Sequence, residues 1–143
     1  MARCPGNDRR DAADRNPDLT GQFLDPNLPA GYAPFNIQNL GGTHYVTYAV
    51  QDAAKEEDVP GVGNGIVNRF DLNGNLLGRV VTGGALNSPW GLAIAPAGFA
   101  GLDGALLVGN FGDGLIHAYG PISGSLIETL MDASNNPIAI EGL

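Results

Sequence analysis

The sequence predicts an all-β fold, an incomplete β-propeller built from two full four-stranded antiparallel blades with partial flanking strands. Glycine makes up 22 of the 143 residues, about twice its usual share of roughly 7%, which is typical of many tight turns. No segment has a helical period. A proline and a ring side chain begin two similar segments, at Pro34-Phe35 and Pro89-Trp90. Four short strands in roughly 40–50 residues is the usual spacing of one propeller blade.

The first blade is predicted over about residues 33–82. Alternation in its second strand places His44, Val46 and Tyr48 on one face. Asn73-Gly74 marks the hairpin before the last strand, because both central residues of the favoured turn need a positive φ. The four predicted strands are Phe35–Leu40, Thr43–Val50, Ile66–Asp71 and Leu76–Val81.

The second blade is predicted over about residues 89–131, and it repeats the first in register. Gly114 matches Gly65 before the third strand, and Ser123-Gly124 matches the Asn73-Gly74 hairpin. The four predicted strands are Trp90–Ala95, Ala105–Asn110, Leu115–Tyr119 and Leu126–Met131. Partial strands of neighbouring blades are predicted at residues 21–24 and 138–143. The matching aromatic residues Phe35 and Trp90 are expected to pack in the core between blades.

Residues 1–18 differ in composition from the rest of the chain. Their arginines and aspartates cancel and they have little to bury, so they are predicted to be disordered or foreign to a domain that spans residues 19–143. Cys4 is the single cysteine, which argues against a disulfide framework or a paired-cysteine metal site. No stretch has the length of a membrane span, and no apolar signal region begins the chain.

The charge balance is acidic, with a net charge of −8 at pH 7. An acidic surface repels the phosphate backbone, so nucleic acid is not an expected partner. Acidic side chains suit divalent cations, although they also serve solubility alone. Two blades cannot close a ring of roughly 4–8 blades, and unpaired sheet edges promote association. The chain is therefore expected either to self-associate through its open blade edges or to be a piece of a longer protein.

Five stretches resemble an uncharacterised family of exported bacterial propeller proteins with NHL-like repeats, some of which end in a C-terminal sorting tail. The stretches are Asp25–Gln38, Tyr45–Ala49, Asn73–Leu77, Gly83–Ala93 and Leu107–Gly114. The resemblance implies that the chain is a fragment of an NHL-like propeller and that the parent protein is extracellular or periplasmic. It implies no site residues, because the family has no assigned active site.

Carboxylate and amide side chains are expected near one end of the blades, where the loops that enter the first strand meet those that join the second and third strands. These side chains are Asn36, Asn87, Asn110, Asp113 and Glu141. Oxygen ligands of this kind suit Ca²⁺, which binds roughly 6–8 of them. Lactone-hydrolysing propellers of the paraoxonase and gluconolactonase type hold calcium in this way, an analogy of fold. An Asp-Gly turn also explains Asp113 without a ligand.

Two functions follow from these residues. The first is a calcium-assisted hydrolase of a small ester or lactone, in which the cation polarises the carbonyl and His44 or His117 moves the proton. The second is a non-catalytic binding or scaffold module, which the absence of a Gly-x-Ser-x-Gly nucleophile motif favours. Both histidines lie within predicted strands, where a histidine is more often a packed residue than a base.

Overall fold

The computed structural model describes residues 22–141. All regular secondary structure in this range is β-strand, which confirms the predicted all-β class. The eight strands are β1 (Tyr32–Leu40), β2 (Thr43–Val50), β3 (Ile66–Phe70), β4 (Leu76–Thr82), β5 (Pro89–Ile94), β6 (Leu106–Asn110), β7 (Ile116–Tyr119) and β8 (Leu126–Thr129). No helix in this part of the chain is long and apolar enough to cross a membrane.

The strands form two four-stranded antiparallel sheets, in which each strand pairs with the next along the chain. Sheet I consists of β1–β4 and sheet II of β5–β8. The hairpin predicted at Asn73-Gly74 is present between β3 and β4. Its backbone is held by the carboxylate of Asp71, which accepts hydrogen bonds from the N–H groups of Asn73 and Asn75 at 2.9 Å each. Such a turn mimics a backbone turn with a side chain.

The first strand of each sheet bulges directly after its proline, Pro34 in β1 and Pro89 in β5. The extra residue in each bulge is the ring residue, Phe35 or Trp90. Because a bulge turns a side chain out of the regular pleat, neither ring enters the core. Trp90 is 45% exposed, and the Phe35 ring lies 6.0 Å from that of Phe111. The prediction of a core position is therefore wrong for Trp90, whereas Phe35 is half-buried against Phe111 without joining the buried core.

The two sheets pack against each other through one face of each. Tyr45 and Val67 of sheet I contact a cluster that includes Leu106, Val108 and Tyr119 of sheet II. We call the face of sheet I that carries Tyr45 and Val67 its front face. We call the face of sheet II that carries Val108 and Tyr119 its back face.

The strand register shows that these two faces are opposite faces of the repeat. The row of paired residues that directly follows the bulge is Asn36–Thr47–Val67 in sheet I and Gly91–Gly109–Ile116 in sheet II. The next row is Ile37–Val46–Asn68 in sheet I and Leu92–Val108–His117 in sheet II. Since side chains of successive rows point to opposite faces, the first row marks the front face and the second row the back face. The sheets thus stack front to back, in the same sense.

The back face of sheet I is covered by the segment that precedes β1. Phe23, Leu28 and Tyr32 pack against a buried cluster on this face. The members of that cluster are Val46, Tyr48, Ile66 and Phe70. Residues 22–24, where the sequence predicts part of a strand, form none; Phe23 instead donates a backbone hydrogen bond to Gly74 at 2.9 Å.

The chain beyond β8 also falls short of a strand. Pro137 and Ala139 form isolated bridges with Met131 and Leu115, where the sequence predicts a partial strand over residues 138–143. Residues 1–21 and 142–143 lie outside the described range, as does the predicted foreign or disordered segment 1–18.

Candidate functional site

Three of the five predicted metal ligands come together at the loop end of the sheets. The Asn87 backbone N–H donates to Oδ1 of Asn110 at 3.1 Å, and Nδ2 of Asn87 lies 3.4 Å from Oδ2 of Asp113. Asn110 is fully buried and Asn87 nearly so. Asn87, Asn110 and Asp113 therefore lie together at this end of the fold, as the order of loops and strands led us to expect, and their predicted role as metal ligands stays a prediction.

The same three side chains fasten the linker between the sheets. Oδ1 of Asn87 accepts the backbone N–H of Gly61 at 2.8 Å, and Nδ2 of Asn110 donates to the carbonyl of Ala85 at 2.9 Å. Oδ1 of Asp113 accepts the backbone N–H of Leu115 at 2.9 Å. Buried amides are stabilised when all their polar atoms are paired, so these contacts hold the linker to the loops of both sheets.

This arrangement does not fit a calcium ion. Calcium needs roughly 6–8 oxygen ligands, whereas the amide oxygens of Asn87 and Asn110 already accept N–H groups. Within residues 22–141 no group of three or more His, Cys, Asp or Glu side chains is placed to hold a metal. The fit therefore gives no support to calcium binding, which stays an untested prediction.

Asn36 and Glu141, the other two predicted ligands, make different contacts. Nδ2 of Asn36 donates to the carbonyl of Trp90 at 2.7 Å, and its Oδ1 accepts the N–H of Ile37 at 2.9 Å. Asn36 thus ties β1 to β5 across the two sheets. Glu141 lies exposed in a turn that follows the bridge at Ala139.

The two histidines lie on different sheets, each on a back face. Nδ1 of His44 lies 3.4 Å from the carbonyl oxygen of Asp71, and the centroid of its ring lies 5.2 Å from that of Phe23 in a T-shaped contact. His117 is 4% exposed, and its Nδ1 lies 2.8 Å from the hydroxyl of Thr129. Burial lowers the pKa of His117, and the charge of Asp113 offsets only part of that shift. Both histidines therefore occupy packing positions between a sheet and its cover.

A partly buried ion pair that sequence reasoning missed lies on the back face of sheet I. The side chain of Asp25 is 2% exposed and pairs with Arg79 of β4, whose side chain is 28% exposed. Its Oδ2 also accepts Nδ2 of the buried Asn68 at 2.9 Å. Burial alone would raise the pKa of Asp25, but the hydrogen bonds from Arg79 and Asn68 outweigh it and the pKa is lowered. No local signal marks this contact, because the partners lie far apart in the sequence.

The front face of sheet II is one of the two outward faces of the stack, and part of it is open. The loop after β5 covers its outer part through Leu102, which packs with Ala105 and Ala118. Beside it lies a groove of about 350 Å³ without a charged side chain. Its lining residues are Gly91, Leu92, Ala93, Phe99, Leu107, Gly109, Ile116 and Leu130. Apolar surface of this kind is typical of a protein-binding face.

A second apolar groove lies on the back face of sheet I, beside the covering segment. It measures about 300 Å³ and also lacks a charged side chain. Its lining residues are Phe23, Pro34, Phe35, Asn36, Ile37 and Val46. The two outward faces of the stack therefore each carry an apolar groove, and these grooves are the candidate functional surfaces.

Three uncharacterised proteins of Acanthamoeba polyphaga mimivirus are similar to this chain. One is 36% identical over 128 residues, which cover 89% of this chain and 32% of that protein. The second is 34% identical over 130 residues, with 89% and 34% covered, and the third is 35% identical over 117 residues, with 81% and 22% covered. The chain thus spans about a third or less of the length of these relatives. No protein-family model and no solved structure matches it.

These relatives correct the predicted family assignment and the predicted function. The similar proteins are viral and uncharacterised, so the assignment to an exported bacterial propeller family is wrong. The two functions predicted for such a bacterial protein, an extracellular hydrolase or a non-catalytic module, are therefore also wrong, because nothing among the relatives indicates either function. The expected extracellular or periplasmic location came from that resemblance alone and stays an untested prediction.

Proposed function

We propose that the chain is an assembly module whose function is to build a larger structure by front-to-back stacking of four-stranded sheets. In this proposal sheets I and II are consecutive blades of an incomplete propeller. One observation carries the proposal. The front face of sheet I, which packs onto sheet II, is equivalent in strand register to the front face of sheet II, which is open. The repeat therefore presents outward the same surface by which it already binds a neighbour.

The path of the chain supports this proposal. Between the sheets, Ser88 donates its N–H to the carbonyl of Asn64 at 2.9 Å. After sheet II, Ile140 donates its N–H to the carbonyl of Gly114 at 2.9 Å. After each sheet the chain therefore contacts the loop between the second and third strands, although the bridge there is parallel at Asn64–Asn87 and antiparallel at Leu115–Ala139. A sheet that followed Ile140 in a longer protein would begin beside the front face of sheet II.

Gly65 and Gly114, the equivalent glycines before the third strands, also support this proposal. A Cβ atom on Gly65 would lie 2.6 Å from the Pro89 side chain, and one on Gly114 would lie 2.6 Å from the Ile140 carbonyl. Both sites thus need glycine because the chain that leaves the sheet crosses directly over them. The relatives, of which the chain matches only part, have room for further sheets. In stacked repeats, each added unit gains stability from the interface with its neighbour.

A three-sheet chain tests this function. Residues 1–129 are joined to residues 80–143. Thr129 pairs with His117 as Arg79 pairs with Asn68, so Thr129 is the equivalent of Arg79 and the residue that follows either position can be Val80. The added copy of sheet II then follows the natural one through its natural linker. We expect one cooperative urea transition with a larger m value and a higher midpoint than the two-sheet chain, because m grows with the surface exposed on unfolding.

The matched control carries Ala93→Glu in the middle sheet only, which places a charge on the front face beneath the added sheet. This control is expected to lose the gain in midpoint and to unfold in two steps. A three-sheet chain that unfolds in two steps without the charge, or that gains nothing over the control, would contradict the proposed function.

A further inference from the structure

Resting on this assembly function, we propose that the front face of sheet II binds a second copy of this chain, through the back face of the second copy's sheet I. The occupant follows from the register. Within one chain, the front face of sheet I is covered by the row Leu92–Val108–His117 of sheet II. The equivalent row, Ile37–Val46–Asn68, lies on the back face of sheet I.

The side chains that insert between the sheets recur on this back face. Leu92 and Val108 pair across β5 and β6 and pack in the cluster between the sheets. Ile37 and Val46 pair across β1 and β2 at the equivalent place. Ile37 is 50% exposed, although Leu92, its equivalent, is packed. Ile37 is therefore an apolar side chain in the position of a contact residue, without the neighbouring sheet that its equivalent has.

The front groove of sheet II has room for Ile37, the exposed member of this pair, whereas Val46 is 4% exposed beneath the covering segment. Gly91 and Gly109 pair at the centre of the groove, and both line it together with Ala93. Small residues leave room for a branched side chain to approach the backbone of the sheet. Phe99 and Leu130 contribute its larger apolar surfaces.

The electrostatics of the two grooves permit contact between copies. No charged side chain lines either groove, so docking buries no unpaired charge. The net charge of −8 opposes association of copies at long range, and salt screens this repulsion beyond about 8 Å at physiological ionic strength. Association is therefore expected to strengthen when salt is added, the opposite of a contact held by ion pairs.

Front-to-back docking joins two different surfaces and leaves one free surface of each kind at the ends. Contacts of this type form rings if the rotation closes and filaments if it does not. Each copy contributes two sheets, and propellers close with roughly 4–8 blades. A closed ring of this chain would therefore contain about two to four copies.

Sedimentation of two complementary variants of the full chain tests the inference. Ala93→Glu charges the front groove and leaves the back groove intact, whereas Ile37→Glu does the reverse. Both positions are exposed, so neither variant loses core packing. Each alone is expected to associate at least about tenfold more weakly than the natural chain. Mixed together, they are expected to form a 1:1 dimer that grows no further, because one intact front face meets one intact back face.

Val62→Glu is the matched control, since Val62 is 79% exposed and lies on the loop between β2 and β3, outside both grooves. It makes the same change in charge and is expected to associate like the natural chain. A natural chain that stays monomeric at all concentrations and salt levels would overturn the inference. So would a mixture of the two groove variants that forms no dimer while the natural chain associates. If the three-sheet chain described above still folds cooperatively in either case, the assembly function stands and only docking of a second copy fails.

Discussion

The back face of sheet I and the front face of sheet II are the two outward faces of one stack, and they are covered to different extents. Phe23 and Leu28 cover part of the first with an irregular segment, whereas the second keeps an open apolar groove. The strands beneath are equivalent in register, so the repeat itself does not produce the difference. It comes from sequence outside the repeat, which covers part of one end and leaves a groove beside the cover, whereas the other end keeps its groove without such a segment.

The buried polar residues in the third strands show the same contrast in detail. Asn68 and His117 occupy equivalent places on the back faces of their sheets. Asn68 binds Asp25 from the covering segment, whereas His117 binds Thr129 of its own sheet. The polar residue thus takes its partner from the covering segment in sheet I and from its own sheet in sheet II, and each residue keeps one buried polar atom, Oδ1 of Asn68 and Nε2 of His117, without a hydrogen-bond partner.

The largest expected effect compares a turn at the packed side of sheet II with one at its open side. Gly124 has φ 71° and Gly98 has φ 82°. A Cβ atom on Gly124 would lie 1.7 Å from the Val80 carbonyl of sheet I, whereas one on Gly98 meets nothing within 4 Å. Gly98→Ala is expected to cost about 1–2 kcal/mol from backbone strain, and Gly124→Ala about 1–3 kcal/mol more from the clash with its neighbour.

Urea unfolding of both variants measures this difference. Equal losses for the two glycine variants would mean that the turn at Gly124 does not press on sheet I, and the front-to-back contact would have to be redrawn. A loss confined to Gly124→Ala, with Gly98→Ala close to the natural chain, would support the contact and place the strain at the open turn lower than expected.

The strand plan is the part of this fold that local sequence signals predict. Asn73-Gly74 and the alternation of His44, Val46 and Tyr48 gave the hairpin and the strand faces correctly, since turns and periodicity are properties of neighbouring residues. The exposure of Trp90 was not predictable from the same signals, because it depends on a bulge in the pairing of β5 with β6. A proline-aromatic pair indicates where a blade begins, but not which way the ring points.

The candidate site was less predictable than the strands. Asn87 and Asn110 could be placed at one end of the fold from the order of loops and strands. Whether their oxygens face a metal or accept backbone N–H groups depends on contacts between loops far apart in the chain, which spacing does not encode. The pairing of Asp25 with Arg79 is of the same kind.

The second prediction concerns the attachment of the covering segment. Asp25→Asn removes the charge that pairs with Arg79 and is expected to destabilise the chain by about 1–3 kcal/mol at neutral pH. The pKa of Asp25 is lowered in the folded chain, so its contribution is complete above the ordinary aspartate pKa of about 3.9. It is lost as the pH falls through the lowered value. Urea unfolding across the acid range should therefore show the natural chain and the variant converging.

Arg79→Gln and the double variant complete a mutant cycle for this pair. A coupling energy near zero between positions 25 and 79 would show that the pair does not hold the segment. Limited proteolysis of the segment before β1 gives an independent readout: faster cleavage in Asp25→Asn indicates a loosened cover, whereas the open front face of sheet II should be unchanged.

The third prediction concerns the equivalent ring residues at the start of each sheet. Trp90 is 45% exposed, so Trp90→Ala is expected to cost about 1 kcal/mol, well below the roughly 3–5 kcal/mol of a buried tryptophan. Phe35→Ala is the matched variant, because its ring contacts Phe111 and its loss should be somewhat greater. A loss for Trp90→Ala in the range of a core residue, measured by urea unfolding, would show that the ring is covered in solution, as it would be if a second copy reached it.

The smallest expected effect is a difference between the two back faces in how pH changes the stability of the chain. Burial lowers the pKa of His117, whereas Asn68, its equivalent, does not titrate. Below the ordinary histidine pKa of about 6.5 the unfolded chain takes up a proton that the folded chain resists, so stability is complete above that pH and falls as the pH decreases. His117→Asn gives sheet II the residue of sheet I, and it should flatten the pH dependence between about pH 7 and pH 5 even though the smaller side chain lowers stability overall. Urea midpoints at several pH values test this slope. If the stability of His117→Asn has the same pH dependence as that of the natural chain, the ring of His117 takes up a proton as readily in the folded chain as in the unfolded chain. Water would then reach the back face of sheet II, which contradicts its cover by sheet I.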